Sequence, residues 1–366
     1  MKYKIFQSSP WIDGVEKKFL LQTIKNNWIT EGPLTRRFLL RVKKITKSKH
    51  VELAPNGTLG LYLALKALNL PKNSEVIVPN FTFYASASSV IFAGLIPKFV
   101  DVNMDDFNMN HNNLEKLIKK QTKAIMIVHA YGQSARMKEI ISIAKKYKLK
   151  IIEDAAQVFN VFYNKKHCGT LGDVGVISFY GDKSLTTGEG AAILTQNKKI
   201  AKRIKFLRNQ GRENSGTFKH KEIGMNFRMT DLQCAIGLGQ LSKINKIKKE
   251  RNLKYKKYIS LLRNVKHLSF LKINDKKNFI PFRFCILTKN KNELVRYLEK
   301  NKIQTRSFFY PLSLQPKLKK YKNDKGENAK RLYDTGICLP IHHLLENKDI
   351  NYICNKIKKF FQKKYG

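Results

Sequence analysis

Acidic residues are scarce in this chain. Against 71 Lys and Arg there are only 27 Asp and Glu in 366 residues, a formal charge of +44. A polyanionic partner, nucleic acid or a membrane surface, is one reading of that excess. The other is a chain-wide preference for Lys and Asn, as an A+T-rich genome imposes. The lysines favour the second reading. They are dispersed as pairs such as Lys17-Lys18, Lys119-Lys120 and Lys248-Lys249, with no single basic arm. No nucleic-acid partner is expected, only a general attraction for diphosphate-bearing molecules.

Cysteine is sparse as well. Cys168, Cys234, Cys285, Cys338 and Cys354 are odd in number and include no CxxC pair. That disfavours a disulfide framework or a zinc site and favours free thiols in a reducing compartment. The eight histidines show no metal-ligand spacing, so no metal is expected. No apolar run approaches the roughly 18 residues of a membrane span. Residues 1–11 have no apolar stretch of the kind a secretory signal needs. The expected location is the cytoplasm, with no membrane partner. Repeats and low-complexity linkers are also missing. The 42% hydrophobic content excludes a disordered chain, and the length suffices for a large core and two lobes.

Between residues 50 and 196, short apolar runs alternate with helical patterns. The spacing predicts strands at 75–79, 97–102, 124–129, 150–154, 174–179 and 191–195. A helix at 136–147 places Met137, Ile140, Ile141, Ala144 and Tyr147 on one face. Alternation of this kind predicts an α/β fold with a mostly parallel sheet. Such sheets bind ligands at the carboxyl ends of their strands. His129, Asp154 and Lys183 fall at or just past those ends. Thr230-Asp231-Leu232-Gln233 reads as a capping box opening a long helix to about Arg251. Beyond it the pattern predicts strands at 282–287 and 304–310 and helices at 293–300 and 350–361. The least ordered stretches are expected at 209–222 and 317–329.

SFYGDKSLTTGEG at 178–190 places Lys183 just past an apolar strand and before a Thr/Gly turn, with Ser178 five residues upstream. A pyridoxal phosphate enzyme requires this arrangement: an amine to condense with the cofactor aldehyde and a hydroxyl near its phosphate. Asn56-Gly57-Thr58 precedes a helix at 59–68 that is apolar almost all round. Its backbone N–H groups suit a phosphate, or Thr58 is a simple N-cap. Asp154 ends the run IIEDAAQ at 151–157. It either keeps a pyridine ring nitrogen protonated or caps a following helix. Gln157 is placed to reach the ring hydroxyl. Phe83 either stacks on a cofactor ring or packs in the core.

These pieces occur in one order: NGT at 56–58, VIVPNFTFYAS at 76–86, KAIMIVHAYG at 123–132, IIEDAAQ, GDVGVISFYGDKSLTTGEGAAILT at 172–195 and GMNFRMTDLQCAIGLGQL at 224–241. Together they resemble the DegT-type nucleotide-sugar aminotransferases across nearly the whole chain. The resemblance implies the aspartate aminotransferase fold (fold type I). A large cofactor-binding domain with an amino-terminal arm would span 1–245, and a smaller α+β domain 246–366. It implies pyridoxal 5'-phosphate as cofactor, cycling through pyridoxamine phosphate. Lys183 would be the lysine bonded to it, Asp154 the ring-nitrogen partner and Gln157 the partner of the ring hydroxyl. Phe83 would stack, and Gly57, Thr58 and Ser178 would hold the phosphate. Family members are homodimers with shared active sites, so Asn226, and with it Arg228, would reach the neighbouring subunit's phosphate. His129 and Tyr131 would orient the sugar or simply pack beneath the cofactor. Many relatives carry a histidine near Ser313, a substrate contact that this chain alters. One branch replaces the lysine with histidine and dehydrates its sugar; Lys183 separates this chain from it.

The implied reaction moves an amino group from L-glutamate to a nucleotide-linked keto-sugar. The SFYGDK, GMNFRMTDLQ and WIT segments look most like the branch that aminates C4 of GDP-4-keto-6-deoxymannose to GDP-perosamine for O-antigen or another lipopolysaccharide-type glycan. The alternatives are dTDP- or UDP-4-keto-6-deoxyglucose, or amination at C3. Outside this class stand a nucleic-acid-binding or regulatory homologue and a catalytically silent partner subunit.

Overall fold

The computed structural model describes residues 2–214, 216–321, 323 and 326–366. A seven-stranded sheet forms its centre. The strands are β1 (His50–Ala54), β2 (Glu75–Pro79), β3 (Ile96–Val100), β4 (Thr122–Val128) and β5 (Lys150–Asp154). A small ribbon of β6 (Phe162–Tyr163) and β7 (Lys166–His167) follows, then β8 (Val174–Ser178) and β9 (Ala191–Thr195). Their order across the sheet is β1-β9-β8-β5-β4-β2-β3. β2, β3, β4, β5 and β8 pair in parallel, and β9 runs antiparallel to both its neighbours. The sequence reading has no counterpart of β1. The reason is local: HVELA carries a charge-bearing Glu52 and a His50 among its five residues, which masks the apolar run.

Alternate residues of each strand point to opposite faces, and both faces are covered. Val76, Val78, Met126, Ile152, Val174, Val176 and Ile193 pack with α3 (Gly57–Ala67), α4 (Ala85–Phe92) and α7 (Lys198–Arg208). On the other face, Val51, Leu53, Ile177 and Leu194 meet α2 (Pro33–Thr46) and α8 (Asp231–Ser242). Ile77, Ile125, Ile127 and Ile151 meet α6 (Met137–Lys146). Two-sided burial explains why these strands read as continuous apolar runs. The α2–α8 contact is close enough that a Cβ on Gly237 would stand 2.4 Å from the Phe38 ring. A glycine there lets the two helices meet.

The predicted single helix from Thr230 to about Arg251 is instead two. Thr230 caps α8 through the expected box with Gln233. The chain leaves helical geometry at Lys243 (φ −115°, ψ 12°), and α9 (Ile244–Leu262) follows. The Lys243 ammonium is held at 2.9 Å from both Asp13 and Glu16. Those two residues cap α1 (Gly14–Lys25), so the break is pinned by the amino-terminal region.

α9 leads into a four-stranded antiparallel sheet of order β10-β11-β13-β12. Its strands are β10 (Ser269–Phe270), β11 (Phe284–Leu287), β12 (Arg306–Ser307) and β13 (Gly336–Leu339). Helices Lys291–Lys300, Glu327–Thr335 and Asn347–Tyr365 accompany it. The predicted strand at 304–310 shortens to two residues. Phe308 leaves the sheet to join a ring cluster with Phe81, Phe107 and Tyr131, and Pro311 has no N–H to offer a ladder. The expected boundary at 245/246 falls in the first turn of α9. The stretches 209–222 and 317–329 contain Ser215, Lys322, Asp324 and Lys325, which lie outside the described residues. All five cysteines are free and buried.

The first residues cross to the second sheet. Lys4 N and Ile5 N donate to Lys302 O at 2.8 and 3.1 Å. Gln7 N donates to Gln304 Oε1 at 3.0 Å, and His342 Nε2 donates to Phe6 O at 3.0 Å. Trp11 then stacks on His343 with ring centroids 5.1 Å apart.

Burial pushes His167 and His342 down to about 4. An unfolded imidazole titrates near 6.5. Both groups are therefore neutral when folded at neutral pH. As pH falls from about 6.5 to about 4, the unfolded chain takes up protons that the folded chain refuses. Each histidine then costs up to about 1.4 kcal/mol of stability per pH unit. The unfolding temperature, measured between pH 7 and 4.5, should fall steadily. A His167→Asn/His342→Gln double variant, whatever its starting stability, should show a shallower fall.

Candidate active site

A cavity of about 860 Å³ opens at the carboxyl ends of β5 and β8, beside the start of α3. Phe282, Arg283 and residues 306–310, from the chain around the four-stranded sheet, also line it. Asn56, not Thr58, caps α3: its side chain accepts from Leu59 N at 3.0 Å. Gly57 and Thr58 sit in the first turn, where backbone N–H groups have no intrahelical partner. Ser178, the last residue of β8, lies against them. A Cβ added to Gly57 would stand 3.1 Å from Ser178 Cβ and 3.3 Å from its Oγ. Ser178 Oγ accepts from Tyr180 N at 3.3 Å, which leaves its proton to donate. Two amides and a hydroxyl thus converge at a helix N-terminus, which suits an anion.

Asp154 ends β5 and is 5% exposed. It caps no helix, because the chain turns at 155–160 before β6. Its Oδ1 accepts from Ala156 N at 3.2 Å, and its Oδ2 accepts from Ser86 Oγ at 2.7 Å. Ser86 Oγ is in turn 3.1 Å from Thr82 Oγ1. Burial pushes the Asp154 carboxyl up, while the Ser86 and Ala156 donors hold it down. Among the described residues no cation forms an ion pair with it. The sequence reading missed Ser86. The available signal was two hydroxyls four residues apart at a helix entrance, in TFYAS.

Lys183 follows β8 in a turn fixed by Lys183 N donating to Tyr180 O at 2.9 Å. Its Nζ stands 4.6 Å from the centre of the Phe282 ring. Burial lowers its pKa, and nearby Arg283 and Arg306 act in the same direction against Asp182 and Asp154. Gln157 Oε1 accepts from Tyr131 N at 2.8 Å, which leaves its amide N–H groups to donate into the cavity. Tyr131 lies on the wall in a left-handed turn (φ 52°) and stacks on Phe309 at 5.5 Å. Phe83 is 61% exposed at the cavity, which rules out the core alternative.

His129 is elsewhere. Its Nδ1 accepts from Ala135 N at 3.1 Å, so Nε2 carries the proton and donates to Glu153 Oε2 at 2.9 Å. Glu153 also accepts from the N–H groups of Gly169, Leu171 and Gly172 at 2.6–2.7 Å. Strand parity is the cause: Ile127 pairs with Glu153, and His129 shares their face, opposite to Asp154. Of the two readings offered for His129, packing behind the site is the one observed. Ser313 is buried off the cavity wall, its N donating to Asn80 Oδ1 at 2.8 Å; Gln315 lines the cavity instead. Asn226 is exposed and Arg228 donates to Asn209 Oδ1 at 2.9 Å; neither reaches the cavity of its own chain. The sequence reading also missed Asp182, Arg283 and Arg306, which meet on the cavity wall. Arg306 Nη1 donates to Asp182 Oδ2 at 2.8 Å, and Arg283 Nη2 donates to the same oxygen.

The residues fit pyridoxal phosphate. The α3 cradle matches one phosphate. A buried carboxylate without a cationic partner matches a protonated ring nitrogen. A lysine with a lowered pKa lies on the same cavity wall.

A family model described as the DegT/DnrJ/EryC1/StrS aminotransferase family matches residues 10–358. A GDP-perosamine synthase of Escherichia coli O157:H7 is 35% identical over 376 residues, covering 100% of both chains. One from Caulobacter vibrioides is 32% identical over 96% of each. Among solved structures, a DegT DnrJ EryC1 StrS aminotransferase from Brucella abortus superposes with a TM-score of 0.89 at 27% identity. That match covers 94% of this chain and 95% of the other.

Replacing Ser178 with Ala removes one donor from the cradle. The dissociation constant for pyridoxal phosphate, from absorbance titration of the apo-protein, should rise roughly five- to ten-fold, about the worth of one hydrogen bond. Gly57→Val, which crowds Ser178, should weaken binding further.

Proposed function

This chain belongs to the DegT/DnrJ/EryC1/StrS aminotransferase family, and on that premise we propose that it aminates C4 of GDP-4-keto-6-deoxy-D-mannose, taking the amino group from L-glutamate and giving GDP-perosamine. That it is a pyridoxal-phosphate-dependent aminotransferase acting on a nucleotide sugar follows from the family and from full-length relatives at 32–35% identity. The choice of GDP-sugar is supported by what those relatives make. The geometric observation behind the reading is that Lys183 and the buried Asp154, which has no ion-pair partner among the described residues, line one cavity.

When bound, pyridoxal phosphate supplies an aldehyde to carry the amino group and a cationic ring to withdraw electrons from the reacting carbon. The chain's own residues do the rest. Gly57 N–H, Thr58 N–H and the Ser178 hydroxyl hold the phosphate. Asp154 would pair with the protonated ring nitrogen, and the Ser86 donor favours its ionised form against the effect of burial. Gln157 donates to the ring oxygen, and Phe83 covers the ring. Lys183 is the residue that would hold the cofactor aldehyde. As a free amine it would take the donor's α-proton and return it, a role favoured by the lowering of its pKa on burial. The enzyme works as a cytoplasmic homodimer, Asn226 and Arg228 of one protomer reaching its partner's cradle. Exposed Phe218, Ile223 and Met225 beside Asn226 support such a contact. Its product suits the assembly of an O-antigen or a similar surface glycan.

Incubation with L-glutamate and a panel of GDP-, dTDP- and UDP-linked keto-sugars, read by mass, should show amination of the GDP-sugar. Conversion of a dTDP- or UDP-sugar alone would replace the substrate named here. Lys183→Ala should abolish turnover with an unchanged circular dichroism spectrum. Asp154→Asn should lower the rate by at least about 10²-fold, the scale of a lost preorganised charge.

A further inference from the structure

Three charged side chains on the cavity wall take no part in holding the cofactor. Asp182, next to Lys183 in the chain, accepts through one oxygen from Arg283 and from Arg306. The Arg283 side chain is 2% exposed, and the Arg306 side chain is 56% exposed. Two guanidinium groups against one carboxylate leave one positive charge unmatched. Among the described residues, Arg283 Nη1 and Asp182 Oδ1 are both buried without a hydrogen-bond partner. Unsatisfied charged groups of this kind are costly inside a protein. Lys183 Nζ and Arg283 Cζ lie 4.6 and 4.3 Å from the centre of the same Phe282 ring.

We propose that Arg306, braced by the Asp182–Arg283 pair, seats the carboxylate of the amino donor. The inference rests on the aminotransfer reading and adds a binding residue to it. An amino acid's carboxylate is bonded to the same carbon as the amine handled at Lys183, so its seat must adjoin that lysine. The cofactor phosphate has its own cradle at α3. A sugar diphosphate is separated from C4 by the sugar ring and carries more charge than the single unmatched one here. A guanidinium presents a planar fork that suits a carboxylate. Asp182 also solves a problem of alternating substrates. The keto-sugar brings no carboxylate to this spot, and Asp182 then stands in as the counter-ion for Arg306.

The test uses the pyridoxal-phosphate-loaded protein without sugar. L-Glutamate should change the cofactor absorbance of the unaltered enzyme. In Arg306→Gln the half-saturating glutamate concentration should rise about 10- to 100-fold, with the limiting rate within about three-fold. Arg306→Lys should recover part of the loss. Calorimetry on the apo-protein should show glutarate binding that Arg306→Gln abolishes, a readout independent of turnover. The half-saturating nucleotide-sugar concentration, measured from the pyridoxamine phosphate form, should change less than about three-fold. An unchanged glutamate dependence in Arg306→Gln, or a loss confined to the nucleotide sugar, overturns the proposal. Failure of the unaltered enzyme to respond to glutamate would instead overturn the donor assignment beneath it.

Discussion

A buried carboxylate at the end of a parallel strand, lining the cavity and without an ion-pair partner among the described residues, governs this structure. Asp154 is held in place by a hydroxyl from α4 and an amide from its own turn, donors that favour its charged form while burial disfavours it. Burying a charge is tolerable when something else supplies the opposite sign, and a protonated pyridine does so. The sheet order serves this arrangement. β5 and β8 are neighbours, Asp154 pairing with Val176, so Ser178 ends β8 two residues beyond that level and the chain after it brings Lys183 to the same opening. The phosphate cradle, the ring partner and the amine are thus set by three adjacent chain ends rather than by mobile loops.

Much of this was legible in the residues because each key group ends an apolar run. Asp154 and Ser178 each close a five-residue strand, Lys183 stands in the turn just after one, and Gly57-Thr58 opens a helix that must be buried. What a strand end does not reveal is the side on which its last residue emerges. His129 sits as close to a strand terminus as Asp154 does, yet parity turns it toward Glu153 and α6. The residues at 182, 283 and 306 were illegible for a different reason. Their meeting is purely tertiary, and two of them are arginines hidden among 71 basic residues. Propensity also misjudged α8 and α9 as one helix, because the break at Lys243 is imposed by Asp13 and Glu16 from more than 200 residues away.

The chain around the four-stranded sheet lines the other side of the cavity with both aromatic and charged side chains. The amine of Lys183 and the guanidinium of Arg283 both stand within 4.6 Å of the centre of the Phe282 ring. Such a ring attracts cations to its face, so the Lys183 contact ties the segment at 282 to the turn after β8 by electrostatics as well as by packing. The ring cluster around Phe81, Tyr131, Phe308 and Phe309 does the apolar part of the same job.

The opening residues of the chain give this side of the cavity an anchor from outside. Gln7 is fastened to Gln304, two positions before Arg306, while Trp11 is clasped by His343 and by Gln240 of α8. One short strap therefore spans from the scaffold to the segment that overhangs the cavity, like a tie-rod behind an awning. Whatever lengthens or trims that strap would alter how far the overhang can swing, without touching a single residue inside the chamber.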